Sequence, residues 1–334
     1  MNVYKLLQLN RKIKSHRIKF LGLFMLHKLN KRYLAVNLDP VMACNLRCKM
    51  CYFTDEDYVR TLKGQFKEEE LSQVAKAIFN RALKLQIGCG TEPTLYKNLE
   101  HIVALGKQYN VPYISLTTNA NLLTEEKIEN LLKAGLDEFT ISLHGVTKSS
   151  YENFMQKASY EKFHRAIQAF AKLKDNYKFK VRINYTFNKD NFFELKEFFN
   201  HFSGNSFDIL QIRPIQKIGN TAYNHFDIQT LQNEYPEVIQ LIKKECKING
   251  ITLLAPEKLP SKHQINNSSL IFDYTFCYIS PNKFWKEGFN WKEQTFNQYA
   301  KQIGWSKTLL KNSVKSETKL KSLSNRLNYE IEFN

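Results

Sequence analysis

Residues 35–51 read Ala-Val-Asn-Leu-Asp-Pro-Val-Met-Ala-Cys-Asn-Leu-Arg-Cys-Lys-Met-Cys. A short apolar strand over 35–38 breaks at Asp39-Pro40 and passes into a loop carrying Cys44, Cys48 and Cys51. Three thiols within eight residues are too crowded for three separate disulfides and suit a metal instead. Iron–sulfur clusters are normally held by four Cys, so three ligands would leave one iron open to an outside molecule. A zinc knuckle completed by a distant His or Cys, or three buried thiols without metal, would use the same residues.

The same order, apolar strand then polar loop, recurs outward from this segment. Strands are expected at 85–87, 113–117, 138–143, 178–187 and 207–212, with helices at 68–83, 95–109, 125–134, 148–155, 160–174 and 191–202. Gly135 stops one helix, and Gly88-Cys89-Gly90, Asn119, His144-Gly145 and Arg213-Pro214 each follow a strand. Six strands alternating with helices signify parallel βα units, whose right-handed crossovers curl the sheet and place functional loops at its C-terminal end. The fold class expected is α/β, a partial (β/α)6 TIM-like barrel over 35–220. An N-terminal basic helix (1–34) would precede it and a small C-terminal α/β extension (221–334) would cap it, ending in a basic tail. In that extension 229–246 reads as helix, 251–254 as strand, 256–275 as loop and 309–327 as a basic helix.

The longest apolar run, Phe20–Leu26, has seven residues, against roughly 20 for a membrane span. It also lacks the small-residue cleavage site of a signal peptide. With the cysteine usage, this points to a reducing, cytoplasmic setting. The net charge is +17, and residues 1–38 hold nine Lys or Arg and no acidic residue. Such charge suits nucleic acid, an anionic membrane surface or an acidic substrate, and equally a solvated face. The helix expected over 4–32 would pack across the main domain in preference to lying on a membrane. No nucleic-acid-binding module is visible, and RNA remains an open partner.

The cysteine segment resembles the C-x3-C-x2-C signature of the radical S-adenosylmethionine superfamily, in the style of its peptide-modifying and sulfatase-maturing branch. The resemblance implies one [4Fe–4S] cluster on Cys44, Cys48 and Cys51, with S-adenosylmethionine chelating the fourth iron. It further implies reductive cleavage of that cofactor to a 5′-deoxyadenosyl radical that abstracts hydrogen from a substrate. Gly88-Cys89-Gly90-Thr91-Glu92-Pro93 is similar to the family's Gly-Gly-Glu-Pro turn, with Thr91 where a second glycine is usual. Thr117-Thr118-Asn119 followed by Leu122-Leu123 resembles its Thr-Asn-Gly-x-Leu segment, with Ala120 for the glycine. Ile141-Ser142-Leu143-His144-Gly145 resembles a further segment.

Carried over residue by residue, the cofactor contacts implied are Met50, Gly88, Gly90, Thr91, Glu92, Pro93, Asn119, Ser142 and His144. Asn184 near the ribose and Arg213 near the methionine carboxylate complete the set. Ordinary βα turns, a structural histidine and an ion pair closing the barrel would employ the same residues. Many members of that branch add some seven C-terminal cysteines for auxiliary clusters. Here only Cys246 and Cys277 follow residue 215, so a single cluster is expected.

The resemblance also implies a flavodoxin- or ferredoxin-type electron donor and allows a peptide as substrate, while the basic ends permit a polyanionic small molecule. Residues 277–281, with Trp285, Phe289 and Trp291, would pack near or over the barrel mouth. Two other classes use the same features: a non-catalytic iron–sulfur or zinc-binding, or electron-transfer, protein with a fourth protein ligand, and a basic nucleic-acid or membrane adaptor on a degenerate scaffold.

Overall fold

In the computed structural model, which describes residues 12–215, 221–223, 225–259 and 270–320, eight strands form one wholly parallel sheet. They are β1 (Leu34–Leu38), β2 (Ala82–Ile87), β3 (Ile114–Thr118), β4 (Glu138–Leu143), β5 (Lys180–Phe187), β6 (Ile209–Pro214), β7 (Thr252–Leu254) and β8 (Phe276–Ile279). Their order is β8-β1-β2-β3-β4-β5-β6-β7. This is the cyclic order of an eight-stranded β/α barrel. Among the described residues no pairing joins β7 to β8, so the ring is open at one seam. The expected six strands are thus extended by two short ones at opposite edges, and the strand–helix run continues well beyond residue 220. A separate short antiparallel pair, Arg47–Cys48 with Met155–Gln156, anchors the cysteine loop.

Alternation along each strand fixes which side chains face the helices. Val36, Leu38, Leu85, Ile87, Phe139, Ile141, Val181 and Ile183 are buried against them. The opposite face carries Lys84, Gln86, Thr117, Thr140, Ser142, Arg182 and Arg213, all half-buried. A fully packed (β/α)8 core would hold bulky branched residues there; this lumen is polar.

The helices are amphipathic. Tyr160–Leu173 buries Phe163, Ala166, Ile167 and Phe170 and starts at Ser159, whose hydroxyl accepts from Lys162 N at 3.3 Å. The expected helix over 191–202 is a 3₁₀ turn, Phe193–Glu197, leading into Phe198–His201.

Residues 1–11 of the expected basic helix lie outside the described residues, and 13–15 are not helical, so that helix is not continuous. The first helix described in full is His16–Lys28, capped by Ser15. It packs against Trp305–Ser313, and Arg17 Nε donates to Ser313 O at 3.3 Å. Glu317 accepts from Ser15 Oγ and from the backbone N–H groups of His16 and Arg17. The expected tail helix is therefore two pieces, Trp305–Ser313 and Glu317–Leu320. Trp285, Phe296 and Trp305 gather around Tyr33, which precedes β1, at the end of the sheet opposite the mouth. Trp291 stays near the mouth, its ring 6.0 Å from that of Phe66. No described helix is long and apolar enough to cross a membrane.

Candidate functional site

The cysteine loop closes one wall of a cavity at the C-terminal ends of the strands. Cys44, Cys48, Met50 and Cys51 all line it. Cys51 N donates to Cys48 O at 2.9 Å, and Arg47 Nη1 donates to the carbonyls of Cys44 and Leu46 at 3.0 and 2.8 Å. Lys49 N donates to Phe154 O, which ties the loop to the segment after β4. Burial pushes the Cys44 thiol up to about 12 and raises Cys48 and Cys51 as well. Such thiols are poor nucleophiles on their own, and a bound cation would supply the charge that makes them thiolates. Among the described residues no three His, Cys, Asp or Glu side chains converge on a point where a single ion could be held. Three thiols on one wall are a donor set that fits a [4Fe–4S] cluster with one iron left open.

The second wall is the turn after β2. Gly88 has φ +80°, and a Cβ there would lie 2.4 Å from Thr117 O and 2.7 Å from Pro93 Cγ. Asp39, wholly buried at the end of β1, fixes this turn: its Oδ1 accepts from Cys89 N at 2.7 Å and its Oδ2 from Gly90 N at 3.0 Å. Oδ2 also accepts from Tyr278 Oη on β8 at 2.8 Å, while Tyr52 Oη donates to Gly90 O.

Glu92 is equally engaged. Its Oε1 accepts from Thr94 N at 3.2 Å and Thr118 Oγ1 at 2.6 Å, and its Oε2 from Asn119 N at 2.8 Å. Desolvation raises both carboxyls, and these donors work against the rise. Asn119 Nδ2 donates to Asn45 Oδ1 at 2.9 Å, joining the third strand's loop to the cysteine loop.

Ser142, His144, Thr186 and Arg213 form the far wall. Burial and the Arg213 charge lower His144 to about 4, so its imidazole is neutral at physiological pH. Its Nδ1 is buried without a hydrogen-bond partner in the protein. Arg213 Nε donates to Thr186 Oγ1 at 3.2 Å.

The structure thus brings Met50, Gly90, Thr91, Glu92, Asn119, Ser142, His144 and Arg213 together with the three thiols around one cavity. Gly88 and Pro93 stand behind its wall and shape the turn. Asn184 lies in the lumen beside Gln211, with Oδ1 lacking a protein partner. Sequence reasoning missed Asp39 and Tyr278 as site-building residues. Asp39 could have been found by the rule that singled out Asn119, a polar residue at a strand's C-terminal end. Tyr278 gave no such signal.

Residues 39–202 match the family model described as the Radical SAM superfamily. Probable GTP 3′,8-cyclases of Saccharolobus islandicus (strain M.14.25) and Sulfolobus acidocaldarius are 28% and 25% identical over 208 and 204 residues, 61% and 60% of this chain. The matched segment spans 64% and 63% of the length of those relatives. Among solved structures, Streptococcus suis SuiB bound to S-adenosylmethionine gives a TM-score of 0.61 at 18% identity, over 91% of this chain and 71% of that one. Native anSMEcpe with bound AdoMet and a Cp18Cys peptide gives 0.53 at 20% identity, over 66% and 63%. At such identities these likenesses speak to the fold alone.

Proposed function

We propose that the chain, whose residues 39–202 match the Radical SAM superfamily model, is an enzyme of that kind, using a [4Fe–4S] cluster and S-adenosylmethionine to abstract hydrogen from a hydrophilic, acidic substrate. The observation that carries this reading is the set of three thiols on one wall of a cavity whose other walls are the strand-end polar residues. Cys44, Cys48 and Cys51 would hold the cluster. When bound, cluster and cofactor together supply a 5′-deoxyadenosyl radical by reductive cleavage of the sulfonium C–S bond.

The rest falls to this chain's own groups. Arg213 offers a guanidinium suited to a carboxylate, and neutral His144 adds no competing charge beside it. Met50, held by the Asn188 Nδ2–H donated to its sulfur, offers an apolar surface to adenine. Asp39 and Glu92 keep the Gly90 turn and Asn119 in place, so the cofactor wall is preorganised.

The lumen below supports the substrate class. Arg182 is engaged by Glu138 at 2.9 Å and by Gln211 at 2.9 Å. Lys84 has its ammonium hydrogen-bonded to Gln86 Oε1 at 3.1 Å, and burial lowers it to about 8. Asn184 Oδ1 and Ser115 Oγ, both buried, lack protein partners. A ligand bearing a carboxylate or phosphate, with amide or hydroxyl neighbours, meets these needs together. A small acidic peptide and a phosphorylated metabolite both satisfy that description. An acidic flavodoxin- or ferredoxin-type donor suits the basic exterior.

The test is chemical analysis of anaerobically reconstituted protein with S-adenosylmethionine and dithionite. About four iron and four sulfide per chain, with 5′-deoxyadenosine formed, are expected. Cys48→Ala should hold little iron and form no product. Wild type that retains zinc and forms none would reject the reading.

A further inference from the structure

The helix His16–Lys28 is apolar on two sides. It buries Phe20 and Leu23 against the domain, yet Ile18, Leu21, Met25 and Leu29 stand 57%, 47%, 51% and 62% exposed. Positions 18, 21, 25 and 29 recur at helical spacing, so these four share one outward face. The antiparallel helix beside it, Trp305–Ser313, behaves alike: Leu310 is exposed, as are Ile303 and Val314 at its two ends. Scattered exposed apolar residues are ordinary, but a stripe on a packed helix pair is not.

Charge surrounds the stripe. Lys14, Arg17, Lys28 and Lys31 are exposed on the first segment, and Lys301, Lys307 and Lys311 on the second. No Asp or Glu occurs in 1–38 or in 301–316. A protein partner of mixed charge would not need so uniform a collar, whereas an anionic lipid surface matches both parts. Apolar side chains enter the acyl boundary while Lys and Arg meet headgroup phosphates, each cation adding attraction near the surface. We propose that this helix pair docks the protein on anionic membrane as a peripheral, non-spanning contact.

The pair lies at the N-terminal end of the sheet. Phe20 packs on Tyr274, which precedes β8, and Trp305 Nε1 donates to Tyr33 Oη just before β1. The cysteine cavity is at the other end, so a docked molecule keeps its mouth turned to solvent. The surface takes up much of the basic charge that the cavity does not use, and it stands whether or not the radical chemistry does.

The experiment is flotation of the full chain on vesicles of phosphatidylcholine, with and without about a third phosphatidylglycerol. Binding should appear with the anionic vesicles and fall about tenfold or more as salt screens the collar. It should fall as far in I18S/L21S/M25S/L29S and in K307E/K311E, both with wild-type near-UV dichroism. Absence of flotation, equal flotation on neutral vesicles, or variants that bind like wild type would overturn the proposal. So would a wild-type dimer in light scattering that the serine variant abolishes, because a second copy would then cover the stripe. Retention of RNA in place of vesicles would overturn it as well.

Discussion

Gly88 sits at φ +80° with the Thr117 carbonyl where a side chain would begin, so the turn after β2 depends on one missing carbon. Gly88→Ala should cost about 1–3 kcal/mol or more in denaturant unfolding and loosen the cofactor wall with it. Asp39 works on the same turn: Asp39→Asn would set an amide NH₂ against the N–H of either Cys89 or Gly90, weakening S-adenosylmethionine binding as seen by calorimetry. His144 gives a pH dependence with a definite sign. Its folded value, about 4, lies below the ordinary 6.5, so the unfolded chain binds the extra proton first. Stability should therefore fall as pH drops from about 6.5 towards 4, and His144→Gln should flatten that limb of a stability-against-pH curve. A free-histidine titration of His144 in NMR would refute this.

Individual strands show why some of the site was legible and some was not. The cysteine loop and the turns ending at Gly90, Asn119 and His144 are local, each a polar residue a fixed step beyond an apolar run. Asp39 and Tyr278 meet across 239 positions, and β8, which carries Tyr278, has four residues, too few to display a period. β7 has three. The polar lumen escaped for a different reason. Lys84, Glu138 and Arg182 alternate with apolar neighbours and read as solvent-facing positions of a half-buried strand, because a single sequence does not reveal that the second face is enclosed. Glu138 and Arg182 are nearly buried, at 1% and 13% side-chain exposure. Glu138→Gln should leave Arg182 uncompensated and cost about 3–5 kcal/mol, whereas Tyr278→Phe should cost about 1–3 kcal/mol. Chemical denaturation separates the two, and equal costs would contradict the assignment of Glu138 as the lumen's anchoring charge.

Across the whole molecule, one end of a parallel sheet carries the thiols and the strand-end polar residues, and the other carries a basic, apolar-striped helix pair. The resemblance that the family model bears out over residues 39–202, and the α/β class, followed from ordered motifs along 35–215. The eight-stranded cyclic order followed only from the pairing of β8 beside β1. The proposed chemistry requires that the cavity join a three-cysteine cluster to S-adenosylmethionine. EPR of the dithionite-reduced, reconstituted protein, recorded before and after the cofactor is added, reads that junction. A reduced [4Fe–4S] signal whose g-values shift on addition is the predicted result, because the cofactor would ligate the open iron. A cluster signal that does not respond at saturating S-adenosylmethionine, or that survives unchanged in Cys48→Ala, would contradict it.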